Sequence, residues 1–263
     1  MIELHRRQDG SPLRIGHRGA PAIALDNTLR SFRAALQLGV DLIEFDVLDL
    51  PRGPLVVAHS DHLEEVTHGA ARGSVRSLPL AALREVAPEL PTLDETLAFF
   101  TDEAPGVGIH LDLKLRSRFD ELGAAIERHG LAGRAVVSAC QPASLRELAR
   151  CSPGVRIGLT YPNDRFGVSR RGRAQPAVAL GLSVMRVAAP MRLRRLVARA
   201  GASAVMLQHR LATPEAVALA HEIGAPVLAW TVDEVADLER VVAAGVDGVI
   251  TNDPRIFTAT LRS

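Results

Sequence analysis

The chain has 263 residues, 47% hydrophobic and 23% charged, with 31 basic side chains against 30 acidic ones. That length and apolar content support a sizeable core and exclude intrinsic disorder, and a net charge of +1 gives no electrostatic case for nucleic acid. Two cysteines, Cys140 and Cys151, without CxxC spacing exclude a disulfide scaffold and a structural zinc site, while the lack of long apolar runs leads us to expect a cytoplasmic chain without stable membrane insertion.

Apolar runs and helical patterns alternate from residue 13 onward. In chain order the pattern predicts strand 13–17, helix 28–38, strands 42–47 and 54–59, helix 92–101, strand 107–113 and helix 117–129. It continues with strand 134–138, helix 142–150, strand 155–159, helix 190–200, strand 203–208, helix 213–223, strand 226–231, helix 233–244 and strand 246–251. Pro190 and Pro214 fall at first helical turns, and Gly39, Gly130, Gly224 and Gly245 follow helical patterns. Such repetition, without a Gly-rich dinucleotide loop, predicts an α/β protein of the (β/α)8 TIM-barrel class over a Rossmann sheet.

Nine strands compete for eight barrel positions. Strand 54–59 follows 42–47 across Leu50-Pro51-Arg52-Gly53, too short a link for a parallel crossover, so the two form an antiparallel hairpin. The run 183–187 reads as helix, because Val178, Leu182, Met185 and Ala189 recur at helical spacing. Residues 60–91 exceed an ordinary loop and form a small insertion over one end of the barrel. One domain with no internal repeat is expected.

Side chains two apart on a strand share a face, so Glu44 and Asp46 point into the barrel if Ile43 and Phe45 pack outward. Adjacent inward carboxylates repel, and read either as a salt-bridged pair or as a hard-cation site for Mg²⁺ or Ca²⁺. Asp112 and Lys114 repeat the spacing on the next parallel strand, adding a third carboxylate and a positive charge. Lys114 is the one lysine among 31 basic residues, which points to a specific role. Hairpin partners whose numbers sum to about 103–104 set His59 opposite Glu44 or Phe45. His17 ends the first strand, and two imidazoles converging on one carboxylate cluster read as general acid and base. Arg18 reads as a phosphate clamp or as a salt bridge to helix 28–38.

Weaker signals follow. Ten arginines and no Asp or Glu occur from Arg165 to Pro214. They read as solvated helix faces or as a positive surface for anionic substrate or lipid headgroups, a peripheral contact through 165–210. Cys140, which follows a strand, reads as a small buried thiol or as a residue near the site, His209 as a pocket candidate, and Asn252 and Asp253 as helix-capping residues. His62, His68 and His110 carry no usable pattern.

His17-Arg18-Gly19-Ala20, Asp26-Asn27-Thr28 with Ser31-Phe32 and Ala35, Glu44-Phe45-Asp46-Val47, Val56-Val57-Ala58-His59, Leu111-Asp112-Leu113-Lys114, Trp230-Thr231-Val232 and Gly245 to Thr251 occur in one order. This ordered set resembles the glycerophosphodiester phosphodiesterases over residues 13–257. The resemblance implies a TIM barrel, a divalent cation (Mg²⁺ or Ca²⁺) and hydrolysis of a small-molecule glycerophosphodiester to glycerol 3-phosphate and an alcohol. By position it implies that Glu44, Asp46 and Asp112 are metal ligands and that His17 and His59 are the acid–base pair. It also implies that Arg18 and Lys114 contact phosphate and that Trp230 lines the substrate pocket. Four positions depart from the family pattern. Ser60 stands for the usual Asp after the second histidine, and Glu65 for the usual arginine six residues after it. Asp26 stands for Glu, and Asp112 for the common Glu. An aspartate third ligand also occurs in the related sphingomyelinase D group, which keeps a phospholipase-D-like cleavage with cyclic phosphate formation as the rival activity. A non-catalytic phosphodiester-binding barrel is the non-enzyme rival.

Overall fold

The computed structural model describes residues 2–115, 117–162 and 191–260. The strands are β1 (Leu13–His17), β2 (Leu42–Asp49), β3 (Leu55–Val57), β4 (Gly108–Leu113), β5 (Ala135–Ala139), β6 (Arg156–Tyr161), β7 (Ala204–Gln208), β8 (Val227–Trp230) and β9 (Gly248–Thr251). The helices are α1 (Leu29–Gln37), α2 (Leu63–Val66), α3 (Leu80–Val86), α4 (Leu93–Asp102), α5 (Phe119–Arg128), α6 (Pro142–Cys151), α7 (191–200), α8 (Pro214–Glu222), α9 (Val235–Ala243) and α10 (Ile256–Thr260). Each predicted strand appears within two residues of its expected ends, and the short helix α10 was not expected. The run 183–187 and Pro190 lie outside the described residues.

Eight parallel strands run in the order β1-β9-β8-β7-β6-β5-β4-β2 and close through β1 and β2, giving the expected (β/α)8 barrel. The ninth strand, β3, pairs antiparallel with β2 as the short link demands. Val47 lies opposite Val57, a register that extrapolates to His59 opposite Phe45. β2 divides one edge between two partners: Leu42, Ile43 and Glu44 pair with β1, whereas Val47, Leu48 and Asp49 pair with β3.

Packing explains the inward carboxylates. Ile43 and Phe45 are fully buried in the layer between sheet and helices. Phe45 meets Phe32 of α1 and Phe100 of α4 at centroid distances of 5.7 and 5.6 Å. Alternation along β2 then turns Glu44 and Asp46 to the barrel axis. Below them the interior is filled by residues such as Ile15, Leu42, Val136, Met206, Leu228 and Ile250.

The expected insertion, residues 60–91, carries α2 and α3 and has a core of its own. Leu63, Val75 and Leu83 pack there against Leu48, Leu50 and Val56 of the hairpin. Arg76 ties this unit to the barrel. Its guanidinium pairs with Asp49 and donates to the Lys114 carbonyl at 2.9 Å, while its backbone N–H donates to Asp61 at 2.8 Å. No helix among the described residues is long and apolar enough to cross a membrane.

Candidate active site

The site starts with a sharp turn after β1. Arg18 has φ +53° and Gly19 φ +91°. A Cβ at position 19 would lie 2.4 Å from Ser31 Oγ and 2.7 Å from the Ser31 carbonyl carbon, so only glycine fits. Ser31 Oγ donates to the Arg18 carbonyl at 3.0 Å and accepts from Ala20 N at 2.8 Å. The turn aims the Arg18 N–H at Glu44 Oε2 (3.0 Å) and brings the guanidinium to Asp46 (2.9 Å) and Asp26 (3.2 Å). Asn27 braces the same carboxylate: its Nδ2 donates to Asp46 Oδ2 at 3.0 Å, and Asp46 N donates back to Asn27 Oδ1 at 3.2 Å. Thr28 caps α1 by accepting from Ser31 N at 3.1 Å.

On the opposite side Lys114 Nζ lies 3.1 Å from Asp46 and contacts Asp112. Asp112 Oδ1 accepts from Ser138 at 2.6 Å and from Thr160 at 3.0 Å. Ser138 has one proton, given to Asp112, so the 2.8 Å contact to His110 requires His110 Nε2 to donate. Each catalytic-candidate histidine has Nδ1 tied off. His17 Nδ1 meets Asn252 Oδ1 at 2.6 Å, and Asn252 donates through N and Nδ2 to Asp233 at 2.8 and 2.7 Å. A carboxylate only accepts, so Asn252 must turn its amide nitrogen to Asp233 and its oxygen to His17. His17 Nε2 is then left toward Glu44, 3.9 Å away. His59 Nδ1 meets Glu65 Oε2 at 2.8 Å.

Charge is arranged unevenly. Burial, then the neighbouring charge of Asp46, raises Glu44 well above the usual carboxylate range. Burial also acts to raise Asp46, but Lys114 and Arg18 beside it outweigh that and hold it far below the usual range. Burial and then the Arg18 charge press His17 down to about 4. Burial lowers His59 too, against the pull of Asp46.

A cavity of about 830 Å³ opens at the C-terminal ends of the strands, the usual place for a TIM-barrel site. All eight residues singled out in the sequence line it: His17, Arg18, Glu44, Asp46, His59, Asp112, Lys114 and Trp230. The Trp230 ring is fixed by Nε1 donating to the Met206 carbonyl at 3.0 Å. Among the described residues no three His, Cys, Asp or Glu side chains form a cluster ready to hold a metal ion. Lys114 pairs with Asp46 and Asp112 and Arg18 with Asp46, while Glu44 takes only the Arg18 backbone N–H and the distant His17 ring. The donor set nevertheless suits a hard cation: three carboxylates, one of them Glu44, whose charge is disfavoured by burial and then by the neighbouring Asp46.

Other readings need revision. Cys140 is half-buried and lines the cavity rather than being a sealed core thiol. His209 is outside the lining residues and packs against Asp237 at 3.3 Å. Asn252 holds His17 instead of capping a helix. Asp233 and Glu65 were missed as partners of the two histidines, although Glu65 already stood out as a departure from the family pattern. Much of the arginine stretch, residues 163–190, lies outside the described residues. Of the described part, Arg194 pairs with Glu222 at 3.6 Å.

The chain is similar to known proteins along most of its length. The model of the glycerophosphoryl diester phosphodiesterase family matches residues 17–256. A glycerophosphodiester phosphodiesterase from Caldanaerobacter subterraneus is 28% identical over 262 residues, covering 94% of this chain and 97% of that protein. A crystal structure of a candidate glycerophosphoryl diester phosphodiesterase from Silicibacter pomeroyi superposes with a TM-score of 0.76 at 27% identity, covering 99% and 97% of the two chains. A phosphodiesterase from Oleispira antarctica, solved in complex with its product sn-glycerol-3-phosphate, superposes with a TM-score of 0.71 over 96% and 97%. At 22% identity that last likeness speaks to the fold. The chain is an enzyme of the glycerophosphoryl diester phosphodiesterase family.

Proposed function

We propose that the protein hydrolyses glycerophosphodiesters to glycerol 3-phosphate and an alcohol with the help of Mg²⁺ or Ca²⁺. The observation that carries this reading is the meeting of His17 and His59 with Arg18 and Lys114 around one cavity. Arg18 and Lys114 bind the phosphodiester oxygens, a guanidinium as a planar fork and an ammonium as a compact charge. One histidine takes the proton of the attacking oxygen. The other gives a proton to the departing alkoxide as its bond to phosphorus breaks. Glu44, Asp46 and Asp112 would hold the cation, which supplies neutralisation of phosphoryl charge when bound. Trp230 walls the substrate pocket.

Support for the substrate class comes from the Oleispira protein of the same fold, whose product is sn-glycerol-3-phosphate. The test is phosphorus NMR of products from glycerophosphocholine, glycerophosphoethanolamine, glycerophosphoglycerol and lysophospholipids, in EDTA and with each cation restored. Glycerol 3-phosphate formed only with a cation supports the reading. A cyclic phosphate from lysophospholipid moves the activity to the phospholipase-D-like class, full turnover in EDTA removes the cation, and no turnover of any diester overturns the proposal.

A further inference from the structure

We propose that Glu65 is the positioning residue for His59, holding its ring in the Nδ1–H tautomer so that Nε2 serves the phosphodiester. The inference rests on the hydrolysis proposed above, because it concerns how His59 acts there. Its starting point is a difference in backbone support. His59 lies beyond the end of the β3 ladder, whose last hydrogen bond runs from Ala58 N to the Asp46 carbonyl at 3.1 Å. The sheet therefore does not set the orientation of the His59 ring. The contact from Nδ1 to Glu65 Oε2, at 2.8 Å, does.

Glu65 is itself held from behind. It lies on the short helix α2, whose Leu63 is buried in the insertion core. The backbone N–H of Leu63 donates to the Gly73 carbonyl at 3.0 Å, and Thr67 Oγ1 donates to the Leu63 carbonyl at 2.6 Å. A carboxylate offers acceptors only, so the proton of the imidazole must lie on Nδ1 and the lone pair on Nε2. Glu65 also places a negative charge beside a ring that feels the positive charges of Arg18 and Lys114. The Glu65 side chain is 36% exposed, so water screens its charge and the contribution is chiefly directional.

The experiment combines steady-state kinetics on glycerophosphocholine with ¹⁵N NMR of histidine-labelled full-length protein. Loss of a partner that orients a functional histidine costs about 10–100-fold in comparable settings. Glu65→Ala is expected to lower kcat by that factor with KM within about twofold, and to replace the Nδ1–H signature of His59 by a tautomer mixture. Glu65→Gln keeps an acceptor oxygen and is expected to recover kcat to within about fivefold of the parent with the Nδ1–H signature intact. Glu65→Arg is expected to fall as low as Glu65→Ala. A Glu65→Ala protein with parental kcat, or with an unchanged His59 tautomer, would overturn the proposal, as would Gln and Ala variants that behave alike. If the parent protein turns over no diester, the hydrolysis reading fails while the NMR arm still decides the pairing.

Discussion

His17 and His59 face one cavity from two differently built walls. His17 ends a central barrel strand between β2 and β9, and its Nδ1 is anchored through Asn252 to Asp233. His59 hangs beyond a three-residue strand and is met by a carboxylate from a four-residue helix. The first wall is organised by sheet register, which repeats along the chain. The second is organised by side-chain contacts between aperiodic segments, clipped to the barrel by Arg76. The two walls bring the same chemical group to the same space by unlike means, so they should fail under different insults.

The sharpest way to break the pair is to remove each imidazole. His17→Ala and His59→Ala are each expected to lower kcat by about 10²–10⁴-fold, the range for a positioned proton-transfer group. The double variant should lose less than the product of the two, since each group depends on the other. Parental rates in either single variant would leave one wall without a proton-transfer role.

Lys114 belongs to both walls: its ammonium takes Asp46 and Asp112, while its carbonyl takes Arg76. Lys114→Arg preserves charge but puts a planar fork where a compact ammonium sits between two carboxylates. Steady-state assays are expected to find kcat about 10²–10³-fold lower, as for loss of one preorganised donor, with little change in Tm. A variant with more than half the parental kcat would reduce the role of position 114 to charge alone.

A change confined to the insertion wall is Arg76→Ala. The Arg76 and Asp49 side chains are each only 9% exposed, so the variant leaves a nearly buried carboxylate without this partner. Urea unfolding is expected to register a loss of about 3 kcal/mol. Arg76→Lys should recover only part of it, because one ammonium cannot reach Asp49 and the Lys114 carbonyl as a fork does. Unchanged stability in the alanine variant would mean that the insertion is held by its apolar core alone.

The smallest expected effect belongs to the barrel wall. Burial holds His110 at about 4, against 6.5 for the unperturbed ring. Between about pH 7 and pH 5 the unfolded chain binds a proton here that the folded chain does not. Stability therefore falls as pH falls, by about 2 kcal/mol from this ring over that window. Urea titrations at both pH values should find the slope reduced in His110→Asn. An identical slope would place the acid sensitivity elsewhere, with His17 the next ring to test.

Legibility in the sequence follows the same division. Strand periodicity alone put Glu44, Asp46, Asp112 and Lys114 on one inward face, and the short link at Leu50–Gly53 placed His59 beside them. Both arguments use spacing, which a barrel preserves. Asn252, Asp233 and Glu65 were not legible as partners because their roles depend on which loops meet at the mouth. Asn252 reaches a histidine 235 residues away in the chain, and no period announces that contact. Spacing also put the carboxylates together and left a salt-bridged pair as one of two readings, without revealing that Arg18 is the second cation on Asp46 beside Lys114. Ser138 and Thr160 escaped notice for a similar reason, since each is an ordinary strand residue until Asp112 is seen between them.

The divided edge of β2 has a consequence for the order in which the backbone opens. Its first three residues are hydrogen-bonded into the closed barrel on both sides, whereas Val47 to Asp49 rely on β3 for one side. Unzipping the hairpin breaks the second set of bonds and leaves the first untouched. In amide exchange, the Val56 proton should therefore trade with solvent through a sub-global opening that carries α2 and His59 with it, while the Val57 N–H stays on the Pro91 carbonyl and those of Ile43 and Glu44 wait for complete unfolding.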